Sequence, residues 1–272
     1  MPIEISTHLG RQISAIRTGD GPVVVLLPPG ASSAAAWRGV TAELSATFEC
    51  LAVNLSGYAE TETFHSNRAM TLDDEAKAVL ALLGSRKAEV HLVGHSYGGA
   101  VAINLVQHHG HRFSSLTLIE PAAYPMLMQV GELELAEDVL QINRAFITRV
   151  HNGDNDAAFR GYFDFYNNGP RKWTDLSGSA KQRLLAVAKP VAAALEAVHA
   201  SDSKLDELAN LQIPTLVVAG AETDKVHARL ARAIAHKIAN SRLEIIPQAG
   251  HMCSLTHPVE LAGLILSHIA DV

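Results

Sequence analysis

Residues 89–110 read EVHLVGHSYGGAVAINLVQHHG. The apolar run at 90–93 stops at Gly94, and Tyr97-Gly98-Gly99 opens a helical pattern three residues further on. Between them stand His95 and Ser96. Gly94 to Gly98 fits Gly-x-Ser-x-Gly, and the flanks place it after a buried strand and before a helix. The logic of such a corner is steric. A side chain on a sharp strand-to-helix turn occupies a strained backbone region, and its neighbours must lack side chains for the chain to pass. The turn lifts the serine oxygen above the sheet. It also sets the following N–H groups and the helix N-terminus beside a reacting carbonyl.

Working outward from that corner, short apolar runs at 23–27, 50–54, 90–93, 116–119, 215–219 and 243–246 read as strands buried on both faces, as in a parallel sheet. Helical patterns lie between them at 34–44, 72–83, 98–109, 228–239 and 259–269. In TLDDEAKAVLALLG, Thr71 caps a helix, acids fill its first turn and Gly84 stops it. Residues 3–7 and 11–16, around Gly10, alternate as an antiparallel hairpin. This alternation predicts an α/β fold with a mostly parallel central sheet flanked by helices. From 121 to 210 the rhythm breaks. Helical stretches at 133–149, 157–165 and 180–199 dominate there, and aromatic residues gather. The expected division is a core of residues 1–120 and 211–272, with residues 121–210 inserted as a helical cap.

Composition bounds the function classes. With 272 residues and 48% hydrophobic content, the chain has material for one large core. A formal net charge of −6 without a basic stripe argues against nucleic acid as a partner. No apolar run approaches the roughly 18 residues of a membrane span, and no signal peptide is seen at the N-terminus. Cys50 and Cys253 have neither disulfide-framework nor zinc spacing, which fits a cytoplasmic protein. His108, His109 and His111 read as a solvated helix end, and no metal or other cofactor is expected. A small-molecule substrate, with the chain as monomer or homodimer, is the expected partner set.

The chain resembles the α/β-hydrolase fold superfamily on several stretches taken in order. They are VVVLLPPGASSAAAW, LAVNLSGYAETE, GHSYGG, IPTLVVAGAETD and IIPQAGHMCSLTHPVEL. The resemblance implies an α/β-hydrolase fold with Ser96 as nucleophile and His251, in the late Gly-His turn, as general base. It implies an oxyanion hole from the amides of Tyr97 and Ala31, although Pro29 stands where the family usually has His before Gly. For the acid, two positions compete. The usual spacing in the late loop is occupied by Thr223, with Asp224 one residue further. The other position is the end of the strand after the nucleophile helix, where Glu120 precedes Pro121. Glu120 is the choice and Asp224 the alternative. His95, Tyr124 and Trp173 are candidates for lining the substrate pocket, and Trp37 for the core.

These parts imply a serine hydrolase cleaving an ester, thioester or lactone of a small to medium apolar substrate through an acyl-enzyme. A carbon–carbon bond hydrolase with the same parts is the alternative, as is a non-catalytic small-molecule-binding protein on this scaffold. Dehalogenases and epoxide hydrolases of the fold carry Asp where Ser96 stands, which disfavours them. A nucleotide-binding reading lacks both Gly-x-Gly-x-x-Gly and a following Lys-Ser/Thr.

Overall fold

The computed structural model describes residues 3–85, 89–167 and 171–272. Positions 168–170 of the aromatic-rich insertion, like residues 1–2, fall outside them. The strands are β1 (Ile3–His8), β2 (Arg11–Thr18), β3 (Val23–Leu27), β4 (Glu49–Val53), β5 (Val90–His95), β6 (Ser115–Ile119), β7 (Thr215–Gly220) and β8 (Ser241–Ile246). They form one sheet in the order β1-β2-β4-β3-β5-β6-β7-β8. The β1–β2 and β2–β4 pairs are antiparallel and every other pair is parallel.

The helices are α1 (Arg38–Leu44), α2 (Leu72–Leu83), α3 (Tyr97–His109), α4 (Leu133–His151), α5 (Asn155–Tyr166), α6 (Gly178–Ala186), α7 (Ala188–His199), α8 (Lys225–Lys237), α9 (Cys253–Thr256) and α10 (Pro258–Ala270). Strand β3 shows why both sheet faces need cover. Val23, Val25 and Leu27 enter the core beneath α2, α3, α8 and the insertion. Val24 and Leu26 enter the opposite core with Trp37, α1 and α10. Period-two alternation sends successive side chains to opposite faces, so a run apolar at every position must lie between two layers.

The insertion between β6 and β7 is helical, from a 3-10 turn at Tyr124–Val130 through α4, α5, α6 and α7 to another at Leu205–Asn210. The sequence pattern at 180–199 predicts one helix where the chain forms two, broken at Val187. Pro190 accounts for the break. It has no N–H to offer the carbonyl of Ala186, and its ring would clash there. Likewise the pattern at 34–44 resolves into a 3-10 turn (Ala34–Trp37) followed by α1. Among the described residues, no helix is long and apolar enough to cross a membrane.

The sheet positions the β5–α3 corner by close contact. Gly98 N–H donates to Pro28 O at 3.1 Å. A Cβ on Gly98 would fall 2.3 Å from Leu27 O, and one on Gly94 would fall 2.5 Å from Gly98 O. Only glycine lets α3 start this near the end of β3. Gly263, exposed in α10, has nothing within 4 Å of such a Cβ. Gly98→Ala is therefore expected to lower stability by about 2 kcal/mol or more through overpacking. Gly263→Ala should raise it by about 0.5–1 kcal/mol through helix propensity. Urea denaturation midpoints of the two variants check the pair.

Candidate active site

Ser96 sits at the corner with φ 52° and ψ −115°, in the left-handed half of backbone space. Its N–H donates to Ile119 O at 2.9 Å, and its own carbonyl accepts from Ala122 N at 2.9 Å. Strand β6 and the turn after it thus hold the strained residue from both sides. The Oγ lies 3.0 Å from Nε2 of His251.

His251 is carried by the turn between β8 and α9. Its Nδ1 lies 2.5 Å from Oε2 of Glu120. Glu120 follows β6 directly, has φ 42° and is wholly buried. Its Oε1 accepts the Gly220 N–H at 2.7 Å, and its Oε2 also accepts the Thr223 hydroxyl at 2.7 Å. Burial works to raise its pKa. The hydrogen bond from His251, the nearby imidazoles and the Gly220 amide outweigh that and hold the carboxyl down at about 2. An ionised Glu120 only accepts, so it fixes Nδ1 of His251 as the nitrogen that carries hydrogen and leaves the lone pair of Nε2 facing the Ser96 hydroxyl. The stability this carboxylate contributes is complete above its unfolded pKa of about 4.3 and is lost as pH falls through about 2.

Asp224, the alternative acid, is drawn elsewhere. It is the N-cap of α8, and its Oδ1 accepts the N–H groups of Val226 (2.9 Å) and His227 (3.1 Å). Its Oδ2 accepts from Nδ1 of His227 at 2.6 Å. Burial would raise its pKa, but the charge and hydrogen bond of His227 win and keep it at about 2. The helix terminus and its own imidazole claim both oxygens, and the structure brings Glu120 to His251 instead. The loop spacing used in sequence reading fell on Thr223, which serves Glu120 as a hydroxyl donor. His227 carried no sequence signal. Its ring lies 3.9 Å from that of His251, inclined by 28°.

The two amides expected at an oxyanion hole differ in their surroundings. Tyr97 N–H is at the first position of α3, where no intrahelical acceptor exists. Ala31, at φ 56°, donates its N–H to the Tyr58 hydroxyl at 3.0 Å. Tyr58 stands on the turn after β4, beside the loop after β3, so its phenol occupies the donor read as open from the sequence.

The model of the alpha/beta hydrolase family matches residues 24–264. The chain belongs to this family. Similar relatives include a pimeloyl-[acyl-carrier protein] methyl ester esterase of Aeromonas hydrophila, 27% identical over 93% of this chain and 97% of the relative. A 2-hydroxymuconate semialdehyde hydrolase of Pseudomonas sp. strain CF600 is 25% identical over 98% of this chain and 95% of the relative. Among solved structures, an esterase from Exiguobacterium antarcticum superposes with a TM-score of 0.75 at 19% identity, covering 96% of each chain.

Within the hydrolase fold, two of the three residues expected to line the pocket lie elsewhere. His95 is fully buried and both ring nitrogens are engaged. Nε2 donates to the carbonyl of His251 at 2.8 Å, and Nδ1 faces the Ser254 hydroxyl at 3.0 Å. Burial drives its pKa down to about 3, with the neighbouring His251 adding to the effect. It fastens the His251 turn to the elbow. Trp173 is buried in the insertion, stacked on Phe159 at 5.7 Å, with Nε1 donating to Asp156 at 3.0 Å. Two bulky rings and a satisfied indole N–H make it a packing residue. Tyr124 does approach the site, its ring 5.9 Å from that of His227. Trp37 is in the core.

Ligand-capable atoms of Glu120, His227 and His251 lie within 4.8 Å of one another. The two rings are nearly parallel, so their in-plane lone pairs run side by side and do not converge on a shared ion. Nδ1 of each is already bonded to a carboxylate. A cleft of about 800 Å³ lined by Gln107, His111, Lys204, Glu207 and Pro214 holds none of these groups.

Glu120→Gln should lower kcat by about 10³–10⁴-fold, because an amide no longer fixes the tautomer. Asp224→Asn should stay within about tenfold of the native rate. Steady-state kinetics on an activated ester, with circular dichroism to confirm folding, compare the two.

Proposed function

We propose that the protein is a serine hydrolase of carboxylic esters, with Ser96 as nucleophile, His251 as general base and Glu120 as the orienting acid. The observation that carries this reading is the unbroken hydrogen-bond chain Ser96–His251–Glu120, at 3.0 and 2.5 Å. His251 takes the hydroxyl proton as Ser96 Oγ attacks the acyl carbon. The Tyr97 amide receives the developing oxyanion, and Ala31 joins it once the Tyr58 phenol gives way. The imidazolium then protonates the leaving alcohol, which departs from the acyl-enzyme. Water, deprotonated by the same imidazole, releases the acid and restores Ser96.

The insertion meets this site through tyrosines. Tyr124 and Tyr166 pack on His227, whereas Phe159 and Trp173 pack on each other. The Tyr166 hydroxyl donates to Asn143, whose amide in turn faces His199. With those polar groups engaged among themselves, ring faces are left for a small to medium apolar acyl or alcohol group. Thioesters and lactones fit the same chemistry.

Carbon–carbon bond hydrolysis is the second reading. It is favoured by the similarity to the semialdehyde hydrolase along nearly the whole chain. A fluorophosphonate probe should add to Ser96 in native protein and fail on Ser96→Ala, as read by intact mass. A panel of p-nitrophenyl esters and lactones should show turnover. Labelling with every ester inert, and cleavage of a vinylogous diketone, would shift the assignment to the second reading. An unlabelled native protein would remove both.

A further inference from the structure

Of the three acids in the first turn of α2, two are engaged with near neighbours. Asp73 pairs with Lys77, and Asp74 closes the cap with Thr71 and pairs with Arg68. Glu75 is turned inward and is 1% exposed. Its carboxylate receives three donors. Ser56 N–H donates to Oε1 at 3.0 Å, the Ser56 hydroxyl to Oε2 at 2.9 Å, and the Tyr97 hydroxyl to Oε1 at 3.2 Å. Arg11 donates to the same Ser56 hydroxyl at 2.6 Å, which sets a cation one hydroxyl away from the acid. A carboxylate at this depth is costly unless its lone pairs are used. The chain Ser96–His251–Glu120 uses none of these groups.

What Glu75 holds are the supports of the two amides expected at the oxyanion. Tyr97 is the first. Its N–H opens α3, and its ring, buried, runs back to the acid. A phenol pinned at its far end limits how the Tyr97 backbone turns about the strained Ser96. The second support is the turn after β4. Ser56 is bonded to Glu75 by both its N–H and its hydroxyl, and two residues on, Tyr58 receives the Ala31 N–H at 3.0 Å. The loop bearing Ala31 also lies against Tyr97, since a Cβ on Gly30 would stand 3.7 Å from Tyr97 Cβ. One side chain of α2 thus ties together the two segments that place these amides.

We propose that Glu75 is a positioning residue of the oxyanion site. It holds the Tyr97 N–H through the phenol, and the Ala31 N–H through Ser56 and Tyr58, at the spacing a tetrahedral intermediate needs. This rests on the reading of Ser96 as nucleophile with these amides as its oxyanion donors. Such donors act on the transition state more than on bound substrate, and a misplacement of about 1 Å is costly in rate. Loosening the acid therefore lowers kcat and spares KM.

The experiment compares the native chain with Glu75→Gln and Tyr97→Phe on a p-nitrophenyl ester and an alkyl trifluoromethyl ketone. Ser96 Oγ adds to the ketone carbon, the carbonyl electron pair moves to oxygen as the oxyanion, and the hydroxyl proton passes to His251. Ketone affinity therefore reports on the oxyanion site without turnover. Glu75→Gln should lower kcat by about 10–100-fold with KM within about twofold, and should weaken the ketone in the same proportion. Tyr97→Phe keeps its N–H and loses only the hydroxyl, so both quantities should fall by about 3–10-fold. Combined, the two changes should cost less than the product of their separate effects, and losses that multiply overturn the proposal. A residue that only packs would lower the urea midpoint and leave kcat and ketone affinity of the folded enzyme in place. That result, or a loss confined to KM, also overturns it. Should Glu75→Gln not fold, Tyr97→Phe decides alone: a parallel loss in kcat and ketone affinity supports the proposal, and native values overturn it. A native protein that neither hydrolyses the ester nor binds the ketone overturns the nucleophile reading and this proposal with it.

Discussion

A carboxylate with no exposure to water sits where β6 ends, and three donors from three parts of the chain meet it: the Gly220 amide, the Thr223 hydroxyl and the His251 ring. An ionised acid at such a depth is costly unless every lone pair facing the protein is used. Here the requirement is met by bringing β6, the loop after β7 and the turn after β8 to one point. The same demand orders the rest of the site. With Glu120 held, His251 has one tautomer, and with the elbow held against β3 and β6, Ser96 has one place to stand. Removing the acid would leave these elements side by side in the sheet but without a reason to converge.

Much of the fold was legible because its signals are local. Period-two burial in 23–27, the cap and stop around α2, and the Gly-x-Ser-x-Gly corner each depend on neighbours in sequence. The strands came out within a residue or two of their positions. The division of 180–199 into two helices was also written locally, in Pro190. The site was legible where position along the chain implies position on the sheet edge, as for Ser96 and His251. It was less so where side chains choose among partners. Asp224 and Glu120 look alike in sequence, and only the α8 terminus and His227 show that the former is engaged. His95, beside the serine, and Trp173, in the aromatic-rich insertion, stood as pocket candidates, and both are buried with their polar groups engaged. Ala31 was read as a free donor, and no local pattern says that a phenol 27 residues away accepts from it.

Position 223 shows how this arrangement differs from the more usual one suggested by the family resemblance. The loop after β7 keeps its place next to the histidine but contributes a hydroxyl. The charge enters from the neighbouring strand. Because β6 and β7 are adjacent in the sheet, a carboxylate from the end of either strand reaches the same region. Asp224, relieved of that duty by geometry, is left to cap a helix and hold a second imidazole.

His95 follows from the elbow in a way that bears on spacing. It is the residue immediately before Ser96, and its ring is tied to the backbone carbonyl of His251. The serine and the histidine turn, far apart along the chain, are thereby joined through one rigid side chain. That hydrogen bond makes the spacing between the two a property of one buried ring as well as of the sheet that carries them.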